Sequence, residues 1–258
     1  MDIVDGFDVD DDQAYAARVK RAVGVLGGAH FVSPQVKQLG KDLGLRGWPT
    51  YFAQRCAVLG SVPADVVASV CGFFPYDRVS DSWSAVSEID IDVAVEASAQ
   101  AIADWGRERL VGAVDLEELA TIAEEVIDRA SPVGAPLFAG WRTIERPSDD
   151  AGRAALALMT LRELRGGLHL AAVLSCGVHP REAVLHGGGV DHATFYGWRD
   201  TQIEPSRLQL VTAGMAEAER RTDKMAGRSW STIDLGKRAQ FASLLDALHD
   251  HVRDAAHE

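Results

Sequence analysis

The stretch from Ser148 to Gly177 constrains this chain more than any other. Ser148, Asp149 and Asp150 read as a helix start: a side-chain oxygen can accept from free backbone N–H groups, and acids suit the positive end of the helix dipole. Leu156, Met159, Leu164, Leu168, Ala171 and Leu174 follow, mostly three or four apart, while Leu158, Leu161, Leu170 and Val173 fill the neighbouring faces. A helix that is apolar around most of its circumference belongs inside a protein. Yet Arg162, Glu163, Arg165 and His169 lie within it, and Gly166-Gly167 sits at its waist. Two adjacent glycines cost a helix about 2 kcal/mol relative to alanine, so close approach of a backbone or a ligand is the expected compensation. Such a helix needs partners on every side.

The rest of the chain is long enough to supply them. At 258 residues it can form one large domain or two ordinary ones. Its 47% hydrophobic and 25% charged residues are those of a soluble globular protein. A net charge of -12 disfavours DNA as the main partner, because backbone binding is driven by clustered Lys and Arg. Residues 1–12 carry six aspartates and no basic residue, the opposite of a signal peptide, and read as an acidic flexible arm. No apolar run is long enough to span a membrane. Cys56, Cys71 and Cys176 lie in apolar surroundings and read as reduced core residues of a cytoplasmic protein.

Periodicity is helical almost throughout. Helices are expected from Gln13 to Leu26, after Ser33-Pro34, around Tyr51 to Gly60, after Val62-Pro63, and over Asp77 to Trp83. Asp90 to Leu110 and Asp115 to Ala130 are the clearest amphipathic segments. Pro132, Gly134, Pro136, Gly140 and Pro147 mark a linker or packed loop before the apolar helix. Beyond it, His179-Pro180 starts a short helix that Gly187-Gly188-Gly189 breaks, and Arg207 to Val211 alternates as a strand does. Thr212 and Asp234 read as caps of the last two helices. The expected organisation is an arm over 1–12, a helical N-terminal domain over 13–147, and a second helical half over 148–258 packed on it.

Four segments resemble a family of uncharacterised actinobacterial MarR-like helix-turn-helix proteins. They are Tyr51 to Gly60, Leu161 to Ala172, Tyr196-Gly197-Trp198, and Val211 to Gly214 followed by Arg221-Thr222-Asp223. The resemblance implies a mainly α fold: a helical N-terminal part joined to a degenerate winged-helix-like C-terminal half with at most a small β-ribbon. Leu208 to Val211 would form the wing, and Thr212 would start the helix after it. A winged helix needs about 20 residues for a recognition helix and its connections, whereas only Arg199 to Arg207 stand before the wing. The groove-reading element is therefore expected to be truncated.

Among candidate sites, Arg165 and His169 stand first, beside Gly166 and Gly167. A guanidinium and an imidazole near a glycine gap can bind a carboxylate or phenolate. The plainer reading pairs Arg165 with an acid on another helix and makes His169 a satisfied core histidine. Tyr51 and Arg55 share a helix face at i, i+4 and, with Trp48, can line the same cavity; otherwise they are aromatic core and a helix-end contact. Phe73 and Phe74 are pocket wall or core, and Arg162 is a further anchor. Cys176, His179, His186, Asp191 and His192 carry metal-ligand chemistry but match no standard zinc spacing, so no metal is assigned. No Gly-x-Ser-x-Gly or phosphate-loop context is present.

These features point first to a helical protein with an internal apolar pocket. Its ligand would be apolar or anionic-apolar, held by Arg and His anchors. An enzyme of specialised metabolism using His169 as general base, with no dissociable cofactor, is the second reading. A ligand-responsive MarR-like regulator is the third. No cofactor can be named from these residues, and the oligomeric state stays open.

Overall fold

The computed structural model describes residues 3–4, 7–8 and 11–254. The remaining residues of the acidic arm lie outside the described residues. Twelve α-helices are found among the described residues: α1 (Asp12–Gly28), α2 (Pro34–Asp42), α3 (Trp48–Cys56), α4 (Ala64–Val70), α5 (Tyr76–Val86), α6 (Ile91–Arg109), α7 (Leu116–Arg129), α8 (Pro136–Trp141), α9 (Asp150–Ser175), α10 (Pro180–Tyr196), α11 (Leu208–Trp230) and α12 (Leu235–Asp254). Most of the helices form where the apolar periodicity places them, and the mainly α expectation holds; α8 lies in the stretch expected to be a linker or packed loop.

The 26-residue α9 is the axis of the fold. Helices α1, α6, α7, α8 and α11 all pack on it, which is why its first half shows no polar face. Ala154, Leu158, Met159 and Val173 are fully buried. Its cap is Asp149, one residue beyond the expected Ser148; the carboxylate accepts from Gly152 N–H at 2.9 Å. Arg107 on α6 holds the same carboxylate at 2.6 Å. Asp149 is thus held below the usual carboxylate range, chiefly by that arginine. The linker-like stretch before α9 is packed rather than free: Ala135, Leu137, Phe138 and Trp141 are buried, the last three on α8. A single apolar cluster runs from Tyr15 on α1 to Leu248 on α12.

One crossing depends on the lack of a side chain. A Cβ on Gly106 of α6 would lie 2.4 Å from the carbonyl oxygen of Ala151 and 2.7 Å from Ala155 Cβ. In an isolated helix Gly→Ala stabilises by about 1 kcal/mol, but overpacking a tight core costs about 1–3 kcal/mol, and here backbone is what must move. Gly106→Ala is expected to lower the melting temperature by a few degrees in a thermal unfolding experiment. A rise would mean that the α6–α9 crossing is looser than described.

Two expectations for the second half need correction. The winged-helix-like half with its ribbon is not present: Pro205–Arg207 is one turn of 3-10 helix, and Leu208 begins α11. The alternation at 207–211 covers the end of that 3-10 turn and the first turn of a 23-residue helix, in which Val211 alone of these residues is buried. Thr212 is inside that helix, and its hydroxyl donates to Leu208 carbonyl oxygen at 2.9 Å. Strand pairing among the described residues is confined to Ile3–Val4 against Phe7–Asp8, near the opposite end of the chain. The second correction concerns α10. Gly189, with φ of 72°, breaks it as the triple glycine suggests, yet the helix resumes and runs to Tyr196.

Candidate functional site

The C-terminal half of α9 leaves the close-packed centre, and its charged residues meet partners from three directions. Glu163, 1% exposed, takes a two-pronged contact from Arg55 of α3: Nε donates to Oε1 at 3.0 Å and Nη2 to Oε2 at 2.9 Å. Arg162 Nη1 donates to the same Oε1 at 2.5 Å. Burial alone would raise the Glu163 carboxyl, but Arg55 and Arg162 outweigh it and hold the group below its ordinary value. The third nitrogen of the Arg55 fork, Nη1, donates to Tyr51 Oη at 3.1 Å. That bond uses the i, i+4 spacing of α3. Burial pushes the Tyr51 phenol up to about 12, so it keeps its proton at neutral pH and has a donor to offer.

One turn further along α9, the partners come from α11 and α1. Arg165 Nη2 donates to Glu219 Oε2 at 2.7 Å and Asp223 Oδ1 at 3.2 Å. Lys20 Nζ reaches the same two acids at 3.0 and 2.9 Å. His169 Nδ1 lies 3.1 Å from Thr222 Oγ1. That hydroxyl donates to Ala218 carbonyl oxygen at 2.7 Å, so it accepts from His169 and the imidazole carries its proton on Nδ1. Burial lowers the His169 pKa, so the ring is neutral near pH 7, with a lone pair on Nε2. Nε2 in turn lies 3.7 Å from Glu219 Oε1. Glu219 is itself held below the usual carboxylate range: burial raises it, and Arg165 and Lys20 more than compensate.

Both clusters open on one cavity of about 500 Å³. Its other wall is aromatic. Phe74 stacks on Tyr196 at 4.4 Å, Tyr51 packs on Phe74 at 5.5 Å, and Phe73 stacks over the His169 ring at 5.8 Å. The resumed part of α10 supplies Tyr196 and His192, the latter 4.4 Å from Tyr196. The structure thus brings together Tyr51, Arg55, Phe73, Phe74, Arg162, Arg165, Gly166 and His169 of the sequence candidates. Gly166 has open space where a side chain would stand, whereas a Cβ on Gly167 would lie 2.8 Å from Ala135 Cα. The glycine pair therefore divides its work: Gly166 faces the cavity, and Gly167 lets a backbone pass behind the helix. Gly167 is a packing residue here.

Trp48 is also placed elsewhere. It lines a second cavity of about 910 Å³, with Arg46, Arg78, Arg181 and Arg199, and Arg78 stacks over its ring at 5.4 Å. Of the metal-ligand types, His179 caps α10 through Nδ1, which accepts from Arg181 N–H at 3.1 Å, and His192 lines the first cavity. No cluster of three or more His, Cys, Asp or Glu suited to a metal ion is found among the described residues. No helix among them is long and apolar enough to cross a membrane.

Sequence reasoning missed the acids that complete the site. Glu163 stood out as a charge within the apolar helix but was not placed in the site, though a buried carboxylate flanked by Arg162 and Arg165 is itself a sign of pairing. Glu219, Thr222 and Asp223 share one face at i, i+3 and i+4, a pattern visible once 208–230 is read as helix. Lys20 gave no signal of its own.

Four cationic side chains, Lys20, Arg55, Arg162 and Arg165, meet three carboxylates, Glu163, Glu219 and Asp223, so the cluster keeps one positive charge. Arg165 Nε is buried and has no hydrogen-bond partner among the described residues. A neutral imidazole, one surplus positive charge and a spare donor against an aromatic wall can hold an amphipathic molecule or move a proton on it. No curated protein and no solved structure matches the chain. A family model described as a helix-turn-helix family matches residues 16–257, nearly the whole chain, and on that match the chain belongs to the helix-turn-helix family.

Proposed function

We propose that the protein binds a small, largely apolar molecule with one anionic or hydrogen-bonding group in the cavity between α1, α3, α9, α10 and α11. The surplus positive charge facing an aromatic wall carries this reading. About 500 Å³ is within the usual range for small-molecule sites, which are mostly apolar with a few fixed polar groups. Arg165 and His169 are the proposed anchors, with Tyr51 and Arg162 at the margin. The pairing of Arg165 with Glu219 and of His169 with Thr222 is compatible with this role, since a side chain so pinned arrives at the ligand already oriented.

Native mass spectrometry of freshly purified protein tests whether a molecule is retained. Titration with 8-anilinonaphthalene-1-sulfonate, an aromatic anion, tests the class, with uncharged N-phenyl-1-naphthylamine as the comparison. The sulfonate is expected to bind more tightly, and His169→Ala to weaken it at least about tenfold, or ~1.4 kcal/mol. Arg165→Lys should also weaken it, because an ammonium lacks the planar fork. If His169→Ala lowers the melting temperature and leaves dye affinity unchanged, the histidine is a packing residue and the site assignment fails.

The tautomer of His169 favours one second reading. With Nδ1–H fixed by Thr222, the Nε2 lone pair is available as a general base, and Arg165 is near enough in sequence to steady developing negative charge. Turnover of the retained molecule, abolished in His169→Ala, separates this reading from binding alone. As for DNA, a net charge of -12 argues against strong binding even in a helix-turn-helix family. Fluorescence anisotropy at physiological salt is expected to show micromolar or weaker, sequence-insensitive affinity. Specific binding near 10⁻⁸ M, about the usual range of regulators, would put the regulator reading first.

A further inference from the structure

We infer that Cys56 and Cys71 form an oxidisable dithiol, in which the Cys71 thiolate attacks hydrogen peroxide that enters the cavity and Cys56 closes the disulfide. Cys56 ends α3, and Cys71 follows the last residue of α4. Their Sγ atoms lie 3.4 Å apart in a buried site, and both are free thiols. A disulfide needs about 2.05 Å between sulfurs, so the pair must close by only about 1.4 Å.

The two sulfurs are not equivalent. Cys71 lines the 500 Å³ cavity and Cys56 does not. Cys71 Sγ also lies 4.0 Å from Arg55 Nη1, while Cys56 is enclosed at 0% exposure. A hydrogen bond from Cys56 and the nearby Arg55 charge favour the Cys71 thiolate, against the opposing effect of burial. Burial pushes the Cys56 thiol up. Both are buried, Cys71 at 2% exposure, but the sulfur at the cavity wall is the nucleophile and the enclosed one the resolver. Cys176, partly buried at the C-terminal cap of α9, lines neither this site nor the cavity.

The chemistry balances without a metal or a second protein. The Cys71 thiolate attacks one peroxide oxygen, the O–O bond breaks, and hydroxide leaves, taking a proton to become water. Cys71 is then a sulfenic acid. Cys56 sulfur attacks Cys71 sulfur, the S–O bond breaks, and a second water leaves with the Cys56 proton. Two thiols and one peroxide give one disulfide and two waters, and the two electrons pass from sulfur to oxygen. Only Gly72 separates Cys71 from Phe73 and Phe74, so drawing Cys71 toward Cys56 at the end of α3 shifts the base of the aromatic wall. The dithiol chemistry needs no ligand in the cavity.

The full-length protein, treated with a slight excess of hydrogen peroxide and alkylated after denaturation, should lose two alkylatable thiols of its three. Its unalkylated mass should fall by about 2 Da, reversibly with dithiothreitol. Peptide mapping should show one cross-link, between the peptides that hold Cys56 and Cys71. Cys176→Ser should behave as wild type. In Cys56→Ser a dimedone adduct should appear at Cys71, and in Cys71→Ser loss of thiols should slow at least about tenfold. Three free thiols after treatment, a cross-link through Cys176, or one between two chains would each overturn the inference. Mapping of the unmutated protein decides the question even if a cysteine variant does not fold.

Discussion

Glu163→Ala is expected to destabilise the protein by about 3–5 kcal/mol, the usual cost of removing one partner of a buried ion pair. Glu163 is 1% exposed and satisfies two guanidinium groups at once. Its loss leaves Arg55, whose side chain is 12% exposed, with only the Tyr51 oxygen and a distant thiol for company. The cost lies mainly in that stranded charge rather than in the lost Coulomb attraction. Arg55→Met combined with Glu163→Ala should therefore cost less than Glu163→Ala and Arg55→Met measured separately and added, with a coupling of about 1–3 kcal/mol. Urea unfolding of the two single variants and the double variant supplies all of these quantities. A cost under about 1 kcal/mol for Glu163→Ala would mean that water reaches Arg55 through the cavity and the pair is effectively exposed.

Stability should also fall as the solution is acidified below pH 6.5, and one buried histidine should account for much of the fall. His30 is 1% exposed between α1 and α2, its ring 4.3 Å from Phe31 and 6.3 Å from Trp105. Burial, reinforced by the Arg162 charge and only partly opposed by Glu163, lowers its pKa from 6.5 to about 3. A depressed pKa means the unfolded chain binds the proton first. The stabilisation is therefore full above pH 6.5 and is lost as the pH falls toward about 3. The slope is at most about 1.4 kcal/mol per pH unit for one group, so the loss by pH 5 is about 2 kcal/mol. His169, lowered in the same direction by burial, adds to it. Glu163 contributes only at lower pH, because its carboxyl is held below the ordinary range and keeps its charge until then. Chemical denaturation at pH 7 and pH 5 should show a smaller difference for His30→Leu than for the unmutated protein. An equal difference would place the acid sensitivity elsewhere.

The apolar helix was readable before any coordinates because its signals are local. Asp149, Asp150 and the dense run of Leu and Ala up to Val173 determine a long buried helix, since capping and hydrophobic spacing act within a turn or two. Tyr51 and Arg55 were paired correctly for the same reason: four residues apart on a helix is a distance set by backbone geometry alone. The misreading at Leu208 to Val211 also has a local cause. Four residues alternating in polarity fit a strand and the first turn of a helix equally well, and only the 23-residue length of α11 resolves the choice.

Which charges meet was beyond the sequence, because it depends on how α1, α3, α9 and α11 cross. Arg55 finds its acid 108 residues away on α9, and Arg165 finds two acids 54 and 58 residues away on α11. The same crossings separate Gly166 from Gly167 and carry Trp48 to the second cavity. They also bring Cys56 and Cys71 side by side. The sequence by itself determined the helices and the residue types that could do chemistry. The tertiary structure alone decided which of them face one cavity, because side-chain pairing between helices is set by packing angles that no stretch of a single helix encodes.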